Sequence, residues 1–405
     1  MAQRPSDRLA WLSLALLSAA CVPDRLGPEG WALPAAPSTD APEVDLYVFG
    51  GRDRGRSNAA LTEALGGRLG EDTSILWTGA PWGKRESCET PRKRAQSMSA
   101  LDQRIDEAGS AFAVGSPYDR MCGASGPPGA RKPDTHYMVD LGLNGPRVHT
   151  PCYAPEGSEP PLDEIRCPHD DPDDDARLRL LVIDETLWFR PDWDDASEAS
   201  QRELAELDAL VDAIPAAPKL PYVLVTHFPI ESEGQSGLGG WEAHATYRHH
   251  PESVQRALAD GRISGVIAGL EGNLQFVDDL GESVNRSSRT WLARPVFQVI
   301  SGAVGDPDRK HRGGPRASRR HGNIALTNDR YSQRAGYVHL HGDAQRLSVD
   351  IHARVGAEWR TTSTTVELQR PPHPARRPAS PLAPCRNCDP VQGAADGEKW
   401  EKRRD

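Results

Sequence analysis

Residues 220–229 read Leu220-Pro221-Tyr222-Val223-Leu224-Val225-Thr226-His227-Phe228-Pro229. From Tyr222 to Thr226 every residue is aromatic, aliphatic or β-branched, and a proline stands close by at each end. A short apolar run bounded in this way predicts a strand buried on both faces. The same pattern recurs at Val44–Gly50, Ser74–Gly79, Ala111–Gly115, Arg179–Asp184, Ile263–Gly269 and Val296–Ser301. Helical patterns fall between these runs. The clearest spans Ser197–Ile214, where Leu204, Leu207, Val211 and Ile214 follow 3, 4, 3 spacing and Asp195 with Glu198 predicts a capping box. Later stretches at Gly336–Leu340, Leu347–Ala353 and Thr362–Leu368 alternate apolar and polar residues, which predicts antiparallel strands. The fold class that accommodates both kinds of strand is α/β (α+β): two packed mixed β-sheets flanked by helices.

The 405 residues carry a net charge of -10, and this excludes a general attraction for nucleic-acid phosphates, which rests on clustered lysine and arginine. The 37 glycines and 35 prolines are scattered along the chain and predict many short elements with extensive connections.

At the amino terminus, Arg4 and Arg8 precede an apolar run of twelve residues, Leu9–Ala20, too short to span a bilayer and suited to a secretion signal. The run ends Leu17-Ser18-Ala19-Ala20-Cys21 and resembles the lipobox of bacterial lipoproteins, with Ser18 in place of the usual leucine. The resemblance implies that residues 1–21 are a lipoprotein signal, that Cys21 takes the lipid, and that the protein is exported and lipid-anchored in the cell envelope. Val22 differs from the aspartate that retains lipoproteins at an inner membrane, so the expected address is the outer membrane, on the periplasmic face or the cell surface. Residues 22–43, with five prolines, read as a tether, residues 44–370 as the folded domain, and residues 371–405 as a tail rich in proline and charge. Setting Cys21 aside leaves six cysteines in a compartment that permits disulfides, with Cys152 and Cys167 as the short-loop pair. Cys385-Arg386-Asn387-Cys388 lacks the second CxxC of a zinc site.

The order of elements and four local strings resemble the calcineurin-like metallophosphoesterases, above all the purple acid phosphatase branch, over residues 44–355. Residues 220–229 resemble the family strand that ends in a metal-binding histidine before a proline. Gly265-Val266-Ile267-Ala268-Gly269-Leu270-Glu271-Gly272-Asn273-Leu274-Gln275 is similar to the family strand, its Gly-His-Asp-His turn and the following Asn-Leu-Gln. Pro295–Gly302 resembles the family segment ending in Ser-Gly, and Tyr137–Gly142 with Arg179–Asp184 resembles a paired strand segment.

The resemblance implies a metallophosphoesterase-like sandwich and, in active members, two metal ions about 3.5 to 4 Å apart that activate a bridging water and clamp the phosphoryl oxygens. This sequence departs from that ligand set at most positions. On the first strand Gly51 stands for the aspartate, unless a two-residue slip brings in Asp53. On the second, Ala80 occupies the place of the bridging aspartate, and a methyl group offers no lone pair. On the third, Ser116 and Pro117 stand for the asparagine and the catalytic histidine. His227 is retained on the fourth, while Leu270 and Gly272 replace both histidines of the fifth. Asp53 and His227 are thus the metal ligands the alignment retains, one for each ion, and bridging anions that would offset the repulsion between two dications are gone.

Other constellations were weighed against solvated loops. His169-Asp170-Asp171-Pro172-Asp173-Asp174-Asp175 lacks the glycine and glutamate of an EF-hand and reads as a solvated acidic loop. His244, His249 and His250, with Glu231, Glu242 or Glu271, form a reserve metal or acid/base site after His227. The basic stretch from Arg309 to His321 reads first as a solvated charge run and second as a surface for anionic head groups or glycans. No Gly-x-Ser-x-Gly elbow or phosphate-cradling loop is present. The sequence therefore predicts an envelope lipoprotein with a phosphoesterase fold, catalytically degenerate, without a metal cofactor, whose partners are the membrane through its lipid and an envelope protein or anionic ligand. The competing expectation is an active phosphoesterase holding a single divalent metal ion at a site relocated to Asp53, His227 and the His244–His250 loop.

Overall fold

The computed structural model describes residues 43–50, 72–78, 110–114, 136–149, 174–185, 197–232, 247–269, 274–302 and 335–369, apart from residue 356, with isolated positions between them. Among the described residues, thirteen strands form two mixed sheets. The first sheet has the order β13-β12-β11-β1-β2-β3. Its parallel half is β1 (Val44–Phe49), β2 (Ser74–Trp77) and β3 (Ser110–Ala113). Its antiparallel half is β11 (Gly336–Gly342), β12 (Arg346–Val355) and β13 (Glu358–Glu367). The halves join where β11 runs antiparallel to β1, Val48 opposite Val338.

The second sheet has the order β5-β4-β6-β7-β8-β10-β9. Its parallel centre is β6 (Ala176–Ile183), β7 (Tyr222–Thr226), β8 (Gly265–Ala268) and β10 (Phe297–Ser301). Antiparallel strands close its edges: β4 (His136–Gly142) and β5 (Arg147–His149) on one side, β9 (Leu274–Val277) on the other. Two packed mixed sheets with helices outside are the architecture that the sequence pattern and the resemblance both implied.

Side-chain alternation explains the layers, because successive strand residues point to opposite faces. Leu46, Val48, Val338, Leu340, Val349 and Ile351 of the first sheet meet Val139, Leu180, Val223, Val225, Ile267 and Val299 of the second in one buried core. The opposite face of the second sheet, with Leu181, Leu224 and Val266, is covered by helices. These are α1 (Glu198–Asp212), α2 (Glu252–Ala259) and α3 (Gly281–Ser288). Of the residues that the spacing of helix α1 picked out, Leu207, Val211 and Ile214 are buried and Leu204 is half-buried, while Leu210, which the spacing left out, is buried as well. The helix cap differs from the expectation. Ser197 is the N-cap, and its hydroxyl accepts from Ser200 N at 3.2 Å, because the helix starts two residues later than a cap at Asp195 requires. Asp195 itself lies outside the described residues.

A polar network stiffens the second sheet. Arg179 Nε and Nη2 donate to Asp140 at 2.5 and 2.7 Å, with both side chains buried. Arg179 Nη1 also reaches Tyr222 Oη at 3.3 Å, and His169 spans from Tyr222 Oη to the Leu210 carbonyl on α1, 2.8 Å from each. Burial opposes the charge on Asp140, but hydrogen bonds from Arg179 and His149 override it and hold the carboxyl below its usual range. His169, placed by sequence in a solvated acidic loop, is thus a tie between sheet and helix. Cys167 is buried under α1, and its candidate partner Cys152 lies outside the described residues. Among the described residues, no helix is long and apolar enough to cross a membrane.

Candidate functional site at the strand ends

In sheets with a parallel core, ligands bind beyond the carboxyl ends of the strands, where backbone groups are unpaired and loops diverge. Here the ends of β1, β2, β7, β8 and β10 meet along one seam between the sheets. Ser301 Oγ donates to Val48 O at 2.8 Å, crossing from the second sheet to the first. The Thr78 hydroxyl lies 3.1 Å from Phe49 O and 3.2 Å from Ser301 O. Gly50 and Gly269 allow this approach. A Cβ at Gly50 would stand 1.9 Å from Ser301 O, and one at Gly269 would stand 1.9 Å from Thr78 O. The seam has no room for a side chain at either position.

His227 follows β7 into this seam and is buried. Its Nδ1 donates to Thr78 O at 3.0 Å, which places the ring proton on Nδ1 and the lone pair on Nε2. Burial pulls the imidazole below its usual range, against the opposing effects of the Thr78 carbonyl and of Asp184 and Glu185. His227 is therefore a neutral imidazole with one nitrogen committed. The Phe228 ring meets it edge-on, with centroids 5.0 Å apart.

The nearest built ionic pair is turned away from that role. Glu185 Oε1 lies 2.7 Å from His250 Nδ1, and Glu185 Oε2 accepts from Thr226 Oγ1. His250 Nε2 in turn reaches the Pro229 carbonyl at 3.3 Å. Burial opposes the charge on His250, but Glu185 overrides it and holds the ring above its usual range. With a carboxylate on one nitrogen and a carbonyl on the other, both ring nitrogens carry protons. His250 has no lone pair for a metal in this arrangement, and it clasps the loop after β7 to the end of β6. Gln298 adds to this clasp, accepting from Ile230 N at 2.8 Å and donating to Glu231 O at 2.6 Å.

The structure thus brings together His227, Thr78, Gly50, Gly269 and Ser301, the anchors beside which the aligned positions fall. Gly51, Asp53, Ala80, Ser116, Pro117, Leu270, Glu271, Gly272 and His244 lie outside the described residues, as do the side chain of His249 and Cys21. Among the described residues, no set of three His, Cys, Asp or Glu donor atoms converges on His227. His227 offers one uncommitted nitrogen, Nε2, and the positions aligned with the other family ligands lie outside the described residues.

Sequence reasoning missed the Glu185–His250 clasp, since Glu185 reads as the first residue of a loop. It also missed a group on the first sheet formed by His339, Asp350 and His352. The signal was available there: His339-Leu340-His341 and Asp350-Ile351-His352 each place two polar residues at strand spacing on one face.

No protein-family model matches the chain. No curated protein matches it either. Similar solved structures include PhoD, with TM-score 0.48 and 10% identity over 84% of this chain and 72% of that one. A Vps29 single mutant from Entamoeba histolytica has TM-score 0.32 and 8% identity, covering 79% of this chain and 98% of its own. A conserved uncharacterized protein from Streptococcus pneumoniae TIGR4, described as a predicted phosphoesterase, has TM-score 0.28 and 7% identity, covering 80% of this chain and 98% of its own. These likenesses concern the course of the backbone and say nothing about a ligand or an activity of this chain.

Proposed function

We propose that the chain is an exported lipoprotein, anchored through Cys21, whose phosphoesterase-like sheets serve as a binding or scaffold unit and do not carry a dinuclear hydrolytic centre. The observation that supports this reading is the company His227 keeps. Two dications a few ångströms apart repel strongly, and only bridging and terminal anions hold them together. At the seam, the groups facing one another are backbone carbonyls, the hydroxyls of Thr78 and Ser301, and two glycines that exclude side chains. The sequence adds Ala80, Pro117, Leu270 and Gly272 at the aligned positions. The partner that suits such a unit is an envelope protein or an anionic ligand, the latter met by the basic stretch from Arg309 to His321.

The test is turnover by the full chain, purified from membranes in detergent, on a panel of phosphomonoesters and phosphodiesters with added manganese, iron or zinc. The expected result is hydrolysis no faster than the protein-free blank with every metal. Metal-dependent turnover that follows the protein through purification would overturn the proposal, and its loss in His227→Ala would assign it to the strand-end seam.

A further inference from the structure

The outer face of the first sheet, turned away from the core between the sheets, carries an unusual row of rings and carboxylates. Val338, Leu340, Val349 and Ile351 point into that core, so His339, His341, Asp350 and His352 share the opposite face. His339 lies directly across from Asp350, and Tyr337 across from His352. One donor atom from each of His339, Asp350 and His352 lies within 4.8 Å of the others. Ligands around a tetrahedral ion at about 2.1 Å sit roughly 3.4 Å apart, so a modest contraction of three side chains closes this group around an ion.

We propose that His339, Asp350 and His352 form a mononuclear site for a divalent transition-metal ion, with zinc as the ion its donors suit best. Two imidazoles and one carboxylate are a donor set for such ions, and they leave a fourth position for water or a ligand.

Two independent features support the site. The first is an orphaned donor. His352 is buried, 5% exposed. Its Nδ1 is engaged by Thr361 Oγ1 at 2.8 Å, and its Nε2 is enclosed without a hydrogen-bond partner. A buried nitrogen in that state is costly unless something occupies it. The second is that each of the three ligands has an outer partner that orients it, as metal ligands characteristically do. His339 Nε2 lies 2.6 Å from Asp45 Oδ1, which leaves Nδ1 for the ion. Asp45 is itself held by Thr73 Oγ1 at 3.1 Å. Asp350 Oδ2 receives His341 Nε2 at 3.1 Å, and Ser348 Oγ lies 3.3 Å from Asp350 Oδ1. Ring contacts fix the imidazoles: His339 stacks on Tyr47 with centroids 4.1 Å apart, and His352 on Tyr337 at 4.6 Å. Arg68, 3.4 Å from the Tyr337 hydroxyl, brings one positive charge to the neighbourhood, against the carboxylates of Asp45 and Asp350.

The experiment is calorimetric titration of the chelator-treated full chain with zinc chloride, repeated with cobalt chloride and read by visible absorption. The expected result is one saturable equivalent per chain and cobalt bands typical of nitrogen and oxygen ligation. Asp45→Asn, which removes only an outer partner, should weaken binding about 10- to 100-fold, and His352→Ala and His339→Ala should weaken it further. Because His352 is buried, the wild-type chain carries a second readout: zinc should shift the imidazole resonances of His339 and His352 and leave that of His227 in place. Absence of saturable binding, affinity unchanged in both alanine variants, or resonance shifts confined to other histidines would each overturn the proposal.

Discussion

Two buried histidines near the strand ends, His227 and His250, differ in charge because of the group that faces each Nδ1. His227 faces the Thr78 carbonyl, which asks only for a proton on Nδ1 and leaves the ring neutral. His250 faces the Glu185 carboxylate across 2.7 Å, and the pair is stable only as an ion pair. Removing one partner strands the other charge in the interior, so Glu185→Ala or His250→Ala should cost about 3 to 5 kcal/mol in denaturant unfolding. The sign of the pH dependence follows from the raised His250 value. The folded state holds a proton that the unfolded chain gives up near pH 6.5, so the contribution is complete below about 6.5 and is lost as pH rises through the folded value. The expected outcome is that the gap between the urea midpoints of the wild type and Glu185→Gln narrows from pH 6 to 9, and a gap that stays constant or widens would contradict the pairing. None of this was legible in the spacing of His244, His249 and His250, because spacing does not say which partner a ring will meet.

At the scale of elements the sequence was far more readable. The apolar run Tyr222–Thr226 became a fully buried central strand, since a strand covered on both faces can use consecutive apolar and β-branched residues. Strand β5, with Arg147 exposed, gave no such signal. It forms only because Val148 sits opposite Val139 at a sheet edge. Helix α1 was legible in its apolar spacing and misread at its cap. A cap at Ser197 predicts that Ser197→Ala loses about 1 kcal/mol of stability while Asp195→Ala loses little, by equilibrium unfolding. Equal losses in the two variants would return the cap to Asp195. The alternating stretches of β11 and β12 were read correctly as antiparallel strands, but the sequence reading drew nothing from their polar face. Register, which the sequence does not state, is what sets His339 across from Asp350.

For the whole molecule, the two sheets are tied together at the carboxyl ends of their parallel strands by hydroxyl and backbone contacts. The Ser301 bond to Val48 O and the close approach at Gly50 and Gly269 draw the sheets together. The one group of three metal-suited side chains among the described residues faces outward from the first sheet. The central claim is that the seam around His227 holds no metal pair. The most direct measurement is the metal content, by plasma mass spectrometry, of full-length protein carrying His352→Ala, after saturation with zinc and manganese and removal of free ions. The account predicts that this variant retains no stoichiometric ion. Two ions per chain, released by a further His227→Ala substitution, would contradict it.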